Sequence, residues 1–241
     1  NLTGLKSNTE QLIKNAEEKD STYAEFLSHV LISELQFRME RAKNKRIKEA
    51  GFPYVRKLED FDLSFQKSLT ERQLKQLSEL NWIEQMYNLM FFGPPGVGKT
   101  HLSIALAYKA AAEGYKVVFT TMTTLIQTLR TAEISRASKT KLNRIYHAQL
   151  LVIDEVGYLP IERTAAYLFF QLVTDLYEQA SIILTSNKGF EEWAEFLGDA
   201  ALTTAVLDRL TYKCDMITLD GKSYRLENHK SFLKKGDYEN D

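Results

Sequence analysis

Residues 93–100 constrain the fold more than any other stretch, because they read Gly-Pro-Pro-Gly-Val-Gly-Lys-Thr between an apolar run and a helical pattern. The glycines allow the backbone to wrap so that successive N–H groups point to one centre. The helix that begins at Thr100 adds the positive end of its dipole, which favours an anion at the same place. A glycine turn without a ligand is the alternative. The strand–loop–helix context favours a phosphate-binding P-loop of the Walker A type.

The ligand predicted for this loop is ATP with Mg²⁺. Lys99 would neutralise the β- and γ-phosphate oxygens, and the Thr100 hydroxyl would ligate Mg²⁺. The predicted nucleotide-binding residues are Gly93, Pro94, Pro95, Gly96, Val97, Gly98, Lys99, Thr100 and His101.

Two carboxylates end the apolar run at 150–155, which reads Leu-Leu-Val-Ile-Asp-Glu. Asp154 would hold Mg²⁺ through its water shell, and Glu155 would be the base that orients the attacking water, as in a Walker B motif. A buried strand that ends at a solvated acidic turn is the alternative. The run comes one strand–helix unit after Lys99, and this position favours the catalytic interpretation.

Two further polar residues are candidates for the same reaction. Asn187 follows the apolar run Ser181–Thr185, and strand ends of a parallel sheet line the ligand crevice. Its amide could share the catalytic water with Glu155, although an ordinary strand-to-helix turn also explains an asparagine there. Arg209 lies in a helical Asp-Arg-Leu stretch and could reach the γ-phosphate of a neighbouring subunit. A surface arginine on an amphipathic helix is the alternative.

Strand and helix patterns alternate from residue 88 onward. The predicted strands are Leu89–Phe92, Lys116–Thr120, Gln149–Asp154 and Ser181–Thr185, and the predicted helices between them are Thr100–Glu113, Thr123–Arg136 and Ile161–Gln179. Such alternation predicts an α/β fold with a doubly wound parallel sheet. A terminal hairpin is expected from Met216–Leu219 and Tyr224–Leu226 around Asp220-Gly221.

The first 50 residues contain no proline and read as helical throughout, and Thr70–Glu84 reads as another amphipathic helix. The predicted division is a helical domain with a basic arm at 1–57, an ATPase domain at 58–233 and a polar tail at 234–241.

Two local clusters of positive charge stand out in a chain whose net charge is only −1. The stretch 38–57 holds eight basic and two acidic residues, and the stretch 136–147 holds four Lys or Arg and no acid. Neither has the interleaved aromatic residues that stack single-stranded bases, which favours phosphate contacts to duplex DNA. A solvated helix face remains the alternative for each. The candidate DNA-binding residues are Arg41, Lys45, Arg46, Arg136, Lys139, Lys141 and Arg144.

Composition excludes several other classes of protein. Cys214 is the only cysteine, so an internal disulfide or a multi-cysteine zinc site is excluded. The four histidines lack metal-ligand spacing. No apolar run approaches the length of a membrane span, and the first residues do not resemble a signal peptide, so we expect a cytoplasmic protein that does not bind membranes.

Four stretches together resemble the AAA+ ATPases of the IstB/DnaC clade, and most closely the IstB-type helper ATPases of bacterial insertion sequences. They are Gly-Pro-Pro-Gly-Val-Gly-Lys-Thr-His-Leu (93–102), Leu-Leu-Val-Ile-Asp-Glu-Val-Gly-Tyr-Leu-Pro (150–160), Thr-Ser-Asn (185–187) and the Asp-Arg-Leu helix (208–210). The resemblance implies an AAA+ ATPase that forms oligomers with shared ATP sites on double-stranded DNA, remodels the DNA and directs its cognate transposase. The residues at the family's motif positions are Lys99, Thr100, Asp154, Glu155, Asn187 and Arg209, the last acting in trans.

One departure from a typical AAA+ ATPase concerns the lid. Only 32 residues follow Arg209, too few for the usual helical lid, so the fold expected has a reduced or absent lid. This leaves open which residues contact the adenine and whether Arg225 replaces the missing lid arginine.

Two alternative functions belong to other classes. A DnaC-like helicase loader shares the clade, although the single cysteine excludes the zinc-binding N-domain of some loaders. A small-molecule kinase shares the P-loop, but the Asp154-Glu155 pair suits attack by water.

Overall fold

The computed structural model describes residues 3–228, so the predicted tail at 234–241 and residues 229–233 lie outside the described part. The strands are β1 (Asn88–Phe92), β2 (Val117–Thr121), β3 (Leu150–Val156), β4 (Ser181–Ser186) and β5 (Cys214–Thr218). The helices are α1 (Thr3–Glu18), α2 (Tyr23–Ala50), α3 (Glu71–Ser78), α4 (Asn81–Glu84), α5 (Lys99–Glu113), α6 (Met122–Thr131), α7 (Arg136–Tyr146), α8 (Arg163–Leu176), α9 (Trp193–Leu197), α10 (Ala200–Thr211) and α11 (Tyr224–Glu227).

The strands form one parallel sheet in the order β2-β3-β4-β1-β5. The first four match the predicted strands to within one or two residues, because each is a short apolar run that is buried on both faces. The predicted doubly wound α/β fold is therefore confirmed.

Alternate residues of each strand enter two hydrophobic cores, one on each face of the sheet. Leu89 and Phe91 pack with α5, whereas Met90 packs with α6, α8 and α10. Because both faces of β1 are covered, the chain that leaves its carboxyl end is held firmly in place.

The described part of the first 50 residues is helical as predicted, except for a break between α1, which ends at Glu18, and α2, which begins at Tyr23. Thr22 and Glu25 form a capping box: the Thr22 hydroxyl accepts from the Glu25 N–H, and the Glu25 carboxylate accepts from the Thr22 N–H at 2.8 Å. The box satisfies N–H groups at the helix start and stabilises a new beginning.

A buried carboxylate joins these two helices. Glu34 of α2 is only 4 % exposed and accepts hydrogen bonds from the N–H groups of Gly4 and Leu5 at 2.9 and 3.1 Å. It also pairs with Arg38 at 2.8 Å. Further along α2, the Arg46 guanidinium donates to the Ala111 carbonyl of α5. This bond attaches α2 to the part of the chain that carries the Gly-rich loop. The division into two domains at residue 58 stays a prediction.

Two other predicted helices are interrupted or shortened in the structure. Thr70–Glu84 divides into α3 and α4 at Leu80, whose φ of 60° lies in the left-handed region. Thr123–Arg136 ends early, and α7 begins at Arg136 after Ser135, whose side chain accepts from the Ser138 N–H. The second basic cluster therefore lies mainly on a helix of its own.

The predicted terminal hairpin is wrong. Its first half is the parallel strand β5, which pairs with β1, and α10 precedes this strand. Its second half is the short helix α11, because Ser223 caps the N–H of Leu226. Among residues 219–228, which follow β5 in the described part, the one α-helix is α11.

Candidate functional site

The Gly-rich loop, residues 93–98, connects the carboxyl end of β1 to α5. Gly93 and Gly96 have φ values of 138° and 85°, which other residues rarely adopt. A Cβ atom at Gly93 would also collide with the Leu219 carbonyl, and one at Gly96 would collide with the Ser223 side chain. Both glycines are therefore needed for the loop's shape and for the packing around it.

Lys99, the first residue of α5, directly follows this loop and is 6 % exposed. Its ammonium group donates to the carbonyl oxygens of Gly93 and Pro94 at 2.6 and 2.8 Å. Burial lowers the pKa of Lys99 to about 8, Asp154 opposes this shift, and the charge of Arg225 adds to it. The negative charge of a triphosphate in the loop would favour the protonated amine and so oppose this shift.

Three side chains connect the loop's helix to the two neighbouring strands. The Thr100 hydroxyl donates to the Asp154 carboxylate at 2.9 Å, and the Thr185 hydroxyl donates to the same carboxylate at 2.5 Å. Asp154 is 5 % exposed, so these donors compensate a buried charge. The structure thus brings together Thr100 and Asp154, the two predicted Mg²⁺ ligands.

Thr185 is a site residue that the sequence prediction missed. Besides donating to Asp154, its hydroxyl accepts from the Glu155 N–H at 3.0 Å. The sequence contained a signal for it, since Thr185 ends the same apolar run that Asn187 follows.

Glu155 stands at an irregularity of the sheet. The register between β3 and β4 shifts between Ile153 and Val156, and Glu155 has a φ of 63°. A left-handed conformation at a non-glycine residue costs about 1–2 kcal/mol, and such strain concentrates at functional sites. The shift leaves the Glu155 side chain exposed while its neighbours remain buried.

Asn187 lies near Glu155, on the neighbouring strand's end. Val156 pairs with Ser186 in the sheet, so Glu155 and Asn187 flank the same residue pair. Asn187 is exposed. β4 lies between β1 and β3, which places Asn187 between the Gly-rich loop and the Asp154-Glu155 turn.

Arg209 is not brought to this site. It lies on α10 with its guanidinium carbon 4.9 Å from the Phe170 ring centre, and it donates to the Ala205 carbonyl. It lines a small cavity with Asn88 and Ile182, which belong to the starts of β1 and β4. Arg209 therefore lies toward the amino ends of the strands, whereas the Gly-rich loop lies at the carboxyl end of β1.

A pocket of about 360 Å³ adjoins the Gly-rich loop. Its walls come from the linker segment (residues 51–70), from the start of α5 and from the C-terminal segment (residues 219–228). The aromatic and cationic side chains in these walls are Tyr54, Arg56, Phe61, Phe65, Lys99, His101, Tyr224 and Arg225. The sequence prediction missed this pocket, because it treated the linker segment only as a connection between two units.

His101 is the last of the predicted nucleotide-binding residues and lies in the first turn of α5. Its ring meets Phe61 edge to face at a centroid distance of 5.5 Å. Its Nε2 atom is buried and has no hydrogen-bond partner among the described residues. Burial lowers the pKa of His101, so the neutral imidazole is favoured in the pocket wall.

The second basic cluster lines a groove of about 480 Å³, to which the stretch 38–57 contributes only Glu49, Ala50 and Gly51. Arg136, Lys141 and Arg144 of α7 line it together with the end of α2. The Arg144 guanidinium donates to the Glu49 carbonyl, and the Lys141 amine donates to the Thr120 hydroxyl. Burial, and secondarily the charge of Arg144, lower the pKa of Lys141.

The other candidate cations lie outside the groove lining. Lys139 is exposed on α7, Arg41 is exposed on α2, and Lys45 lies 3.9 Å from Glu49. Arg46 is committed to the Ala111 carbonyl, as described above. Arg46 and Arg144 thus have structural contacts, whereas Arg136 and Lys139 are exposed for other partners.

Two negative findings concern residues 3–228 alone. No helix there has both the length and the apolar composition that a bilayer crossing requires. No three His, Cys, Asp or Glu side chains of that part cluster as a metal site would need.

Comparison with known proteins identifies close relatives. The model of the family described as IstB-like ATP binding protein matches residues 1–231. An "Insertion sequence IS21 putative ATP-binding protein" from Pseudomonas aeruginosa is 42 % identical over 226 residues, which cover 94 % of this chain and 85 % of that protein. An "Insertion sequence IS5376 putative ATP-binding protein" from Geobacillus stearothermophilus is 40 % identical over 209 residues, which cover 87 % of this chain and 83 % of that protein.

Solved structures with the same fold are more distant in sequence. DnaI aligns with a TM-score of 0.57 and 20 % identity over 68 % of this chain and 90 % of that chain. AMPPCP-bound DnaA from Aquifex aeolicus aligns with a TM-score of 0.53 and 22 % identity over 68 % of this chain and 49 % of that chain. At these identities the likeness shows a shared fold alone.

Proposed function

Because the chain belongs to the family of IstB-like ATP-binding proteins, we propose that its ATPase activity drives several copies to assemble on double-stranded DNA. The assembly deforms the DNA and directs a transposase to it. The names of the relatives, which connect them with insertion sequences, support the transposase as partner. The observation that carries the DNA part is the groove that three cations of α7, Arg136, Lys141 and Arg144, line beside the end of α2.

In this function the triphosphate lies in the Gly-rich loop. Lys99 exchanges its loop carbonyl acceptors for phosphate oxygens, which are stronger acceptors because they are charged. Mg²⁺ would neutralise charge between the β- and γ-phosphates. Thr100 and Asp154 fit its preference for oxygen ligands, with the Asp154 contact made through water.

Glu155 is the base that orients the attacking water. Its exposed side chain directly follows the buried Asp154, near the carboxyl end of β3. Asn187 would bind the same water or the γ-phosphate, and the position of β4, which it follows, between β1 and β3 supports this role. The Thr185 hydroxyl holds the Glu155 backbone in the strained conformation that the base requires.

The adenosine part occupies the pocket beside the loop. Its volume of about 360 Å³ lies in the range of small-molecule sites, and its aromatic walls suit a purine ring. Arg225 lines this pocket, and its charge already acts on Lys99. We assign to Arg225 the phosphate contact that a lid arginine would make in a longer AAA+ chain.

Arg209 acts on the ATP of a neighbouring copy. Its distance from its own Gly-rich loop, across the sheet, supports a role in trans. Its stacking on Phe170 holds the guanidinium near the surface, where a second copy could approach. Each complete ATP site then needs two copies of the chain.

The DNA backbone lies along α7 and the basic end of α2. Arg136 and Lys139 reach its phosphates, while Arg144 joins the two helices. Contacts of this kind are independent of sequence and sensitive to salt.

Co-purification tests the partner. A tagged chain is incubated with duplex DNA, Mg²⁺ and ATP, together with the transposase of the same insertion sequence or with the replicative helicase. We expect the transposase to be retained, and to be lost when Lys99→Ala replaces the wild type. Retention of the helicase without the transposase would instead establish a helicase loader.

A further inference from the structure

A glutamine in the wall of the pocket beside the Gly-rich loop makes several buried contacts to which no role has yet been assigned. Gln66 of the linker segment is 3 % exposed. Its Nε2 atom donates to the carbonyl oxygens of Val97 and Asp220, at 2.9 and 3.1 Å. Its Oε1 atom accepts from the Ser68 N–H at 2.9 Å. One amide therefore connects the linker segment, the Gly-rich loop and the C-terminal segment.

The chemistry of its neighbours fixes the orientation of this amide. Two carbonyl oxygens face one end of it and an N–H group faces the other, so only one orientation satisfies all three. A buried group with both N–H donors used is held firmly, because rotation would leave several polar groups unpaired. Gln66 is thus a rigid support.

The support acts on the outer side of the Gly-rich loop. A trans peptide holds its C=O and its N–H in opposite directions. With the Val97 carbonyl bound outward by Gln66, the Gly98 N–H points inward. The preceding peptide is held likewise, since the Tyr224 N–H donates to the Gly96 carbonyl at 3.0 Å.

The linker and C-terminal segments also fix each other. The Asp220 N–H donates to the Ser68 hydroxyl at 2.9 Å, and the rings of Phe65 and Tyr224 meet edge to face at 5.1 Å. Two parts of the chain that are 154 residues apart thus form one clamp around the loop.

We propose that Gln66 is a positioning residue that preorganises the Gly-rich loop for the triphosphate. It touches no phosphate itself. It sets the direction of the Gly98 N–H before nucleotide arrives, so the loop needs no reorganisation on binding. The inference concerns the ATPase activity and does not depend on the DNA or transposase roles.

Isothermal titration of the purified full chain without DNA tests this proposal. Gln66→Met keeps the side-chain volume and removes every hydrogen bond of the amide. We expect the Kd for Mg-ATP to rise about tenfold, because the Gly-rich loop and the segment that clamps it each lose a hydrogen bond. The Kd for AMP, measured by competition, should stay within about twofold, since AMP lacks the β-phosphate that the loop amides bind.

Gln76→Met is the matched control, because Gln76 is exposed on α3. It should leave both constants unchanged. Two results would overturn the proposal: an unchanged Kd for ATP in a folded Gln66→Met chain, or an equal weakening of ATP and AMP. The second result indicates a general loosening of the pocket. Should Gln66→Met not fold, Gln66→Ala adds no bulk and is subjected to the same comparison.

Discussion

A single buried carboxylate organises the chemistry at the residue scale. Asp154 accepts from Thr100 on one side and from Thr185 on the other, so α5 and β4 are joined through this residue of β3. The Thr185 hydroxyl in turn accepts from the Glu155 N–H. The position of Glu155, the proposed base, therefore depends on a hydroxyl to which we assign no chemical step.

We predict that Thr185→Val lowers kcat for ATP hydrolysis by about 10- to 100-fold, as is usual for partners that orient a ligand. Valine preserves the shape of the buried side chain and removes the hydroxyl, so Asp154 and the Glu155 N–H each lose a partner. Steady-state hydrolysis with a titration of Mg²⁺ measures the effect.

Thr174→Val is the control for this change, because the Thr174 hydroxyl donates only to the Phe170 carbonyl within its own helix. It should leave kcat unchanged. Equal rates for Thr185→Val and the wild type would show that the hydroxyl does not position the site.

At the scale of elements, the structure divides the cations of the second basic cluster into two groups. It is a helix, α7, whose inner cations are bonded to the protein and whose outer cations are exposed. Lys141 is therefore a poor probe of DNA binding, because its substitution also removes a hydrogen bond to Thr120. Arg136 and Lys139 are better probes.

We predict that Arg136→Ala combined with Lys139→Ala weakens binding to duplex DNA at every sequence. The slope of log K against log salt concentration should become shallower by about 0.9 for each phosphate that the variant no longer neutralises. Fluorescence anisotropy at several salt concentrations measures it.

Arg72→Ala combined with Lys75→Ala is the matched control. This pair has the same charges at the same spacing on α3, and neither residue lines the groove. The control should keep the wild-type slope. A wild-type slope for the α7 variant would exclude this helix from the interface.

The sequence predicted the elements whose signals are local. Four strands were found because their apolar runs are continuous, and Thr100 and Asp154 were found because each belongs to a contiguous motif. The hairpin was wrong because β5 is stabilised by pairing with β1, which lies more than 100 residues earlier. A local turn signal at Asp220-Gly221 cannot reveal such a partner.

The parts of the candidate site that were missed depend on tertiary contacts. Gln66 and Thr185 are ordinary polar residues in the sequence, and the bonds that connect them to Val97 and to Asp154 each span 31 residues. The pocket beside the Gly-rich loop likewise combines the linker segment with the C-terminal segment, which only the folded chain brings together. The break at Thr22 was readable, since the capping box is a local pattern.

At the scale of the whole molecule, the proposed sites lie on different parts of one sheet. The Gly-rich loop lies at the carboxyl ends of the strands, and Arg209 lies toward their amino ends. The basic groove adjoins β2. This distribution supports an account in which one copy completes its neighbour's ATP site. ATP would then control assembly, and assembly would align the grooves along the DNA.

The central claim is that ATP in the Gly-rich loop drives binding to duplex DNA, and anisotropy of a labelled duplex of some tens of base pairs tests it directly. Binding is compared with and without Mg-ATP for the wild type, Lys99→Ala and Glu155→Gln. The account predicts that ATP tightens binding of the wild type at least about tenfold, as a coupling of about 1–3 kcal/mol allows. It also predicts that Lys99→Ala loses this effect and that Glu155→Gln keeps the DNA bound with little hydrolysis. Equal DNA binding by all three proteins, with or without ATP, would contradict the account.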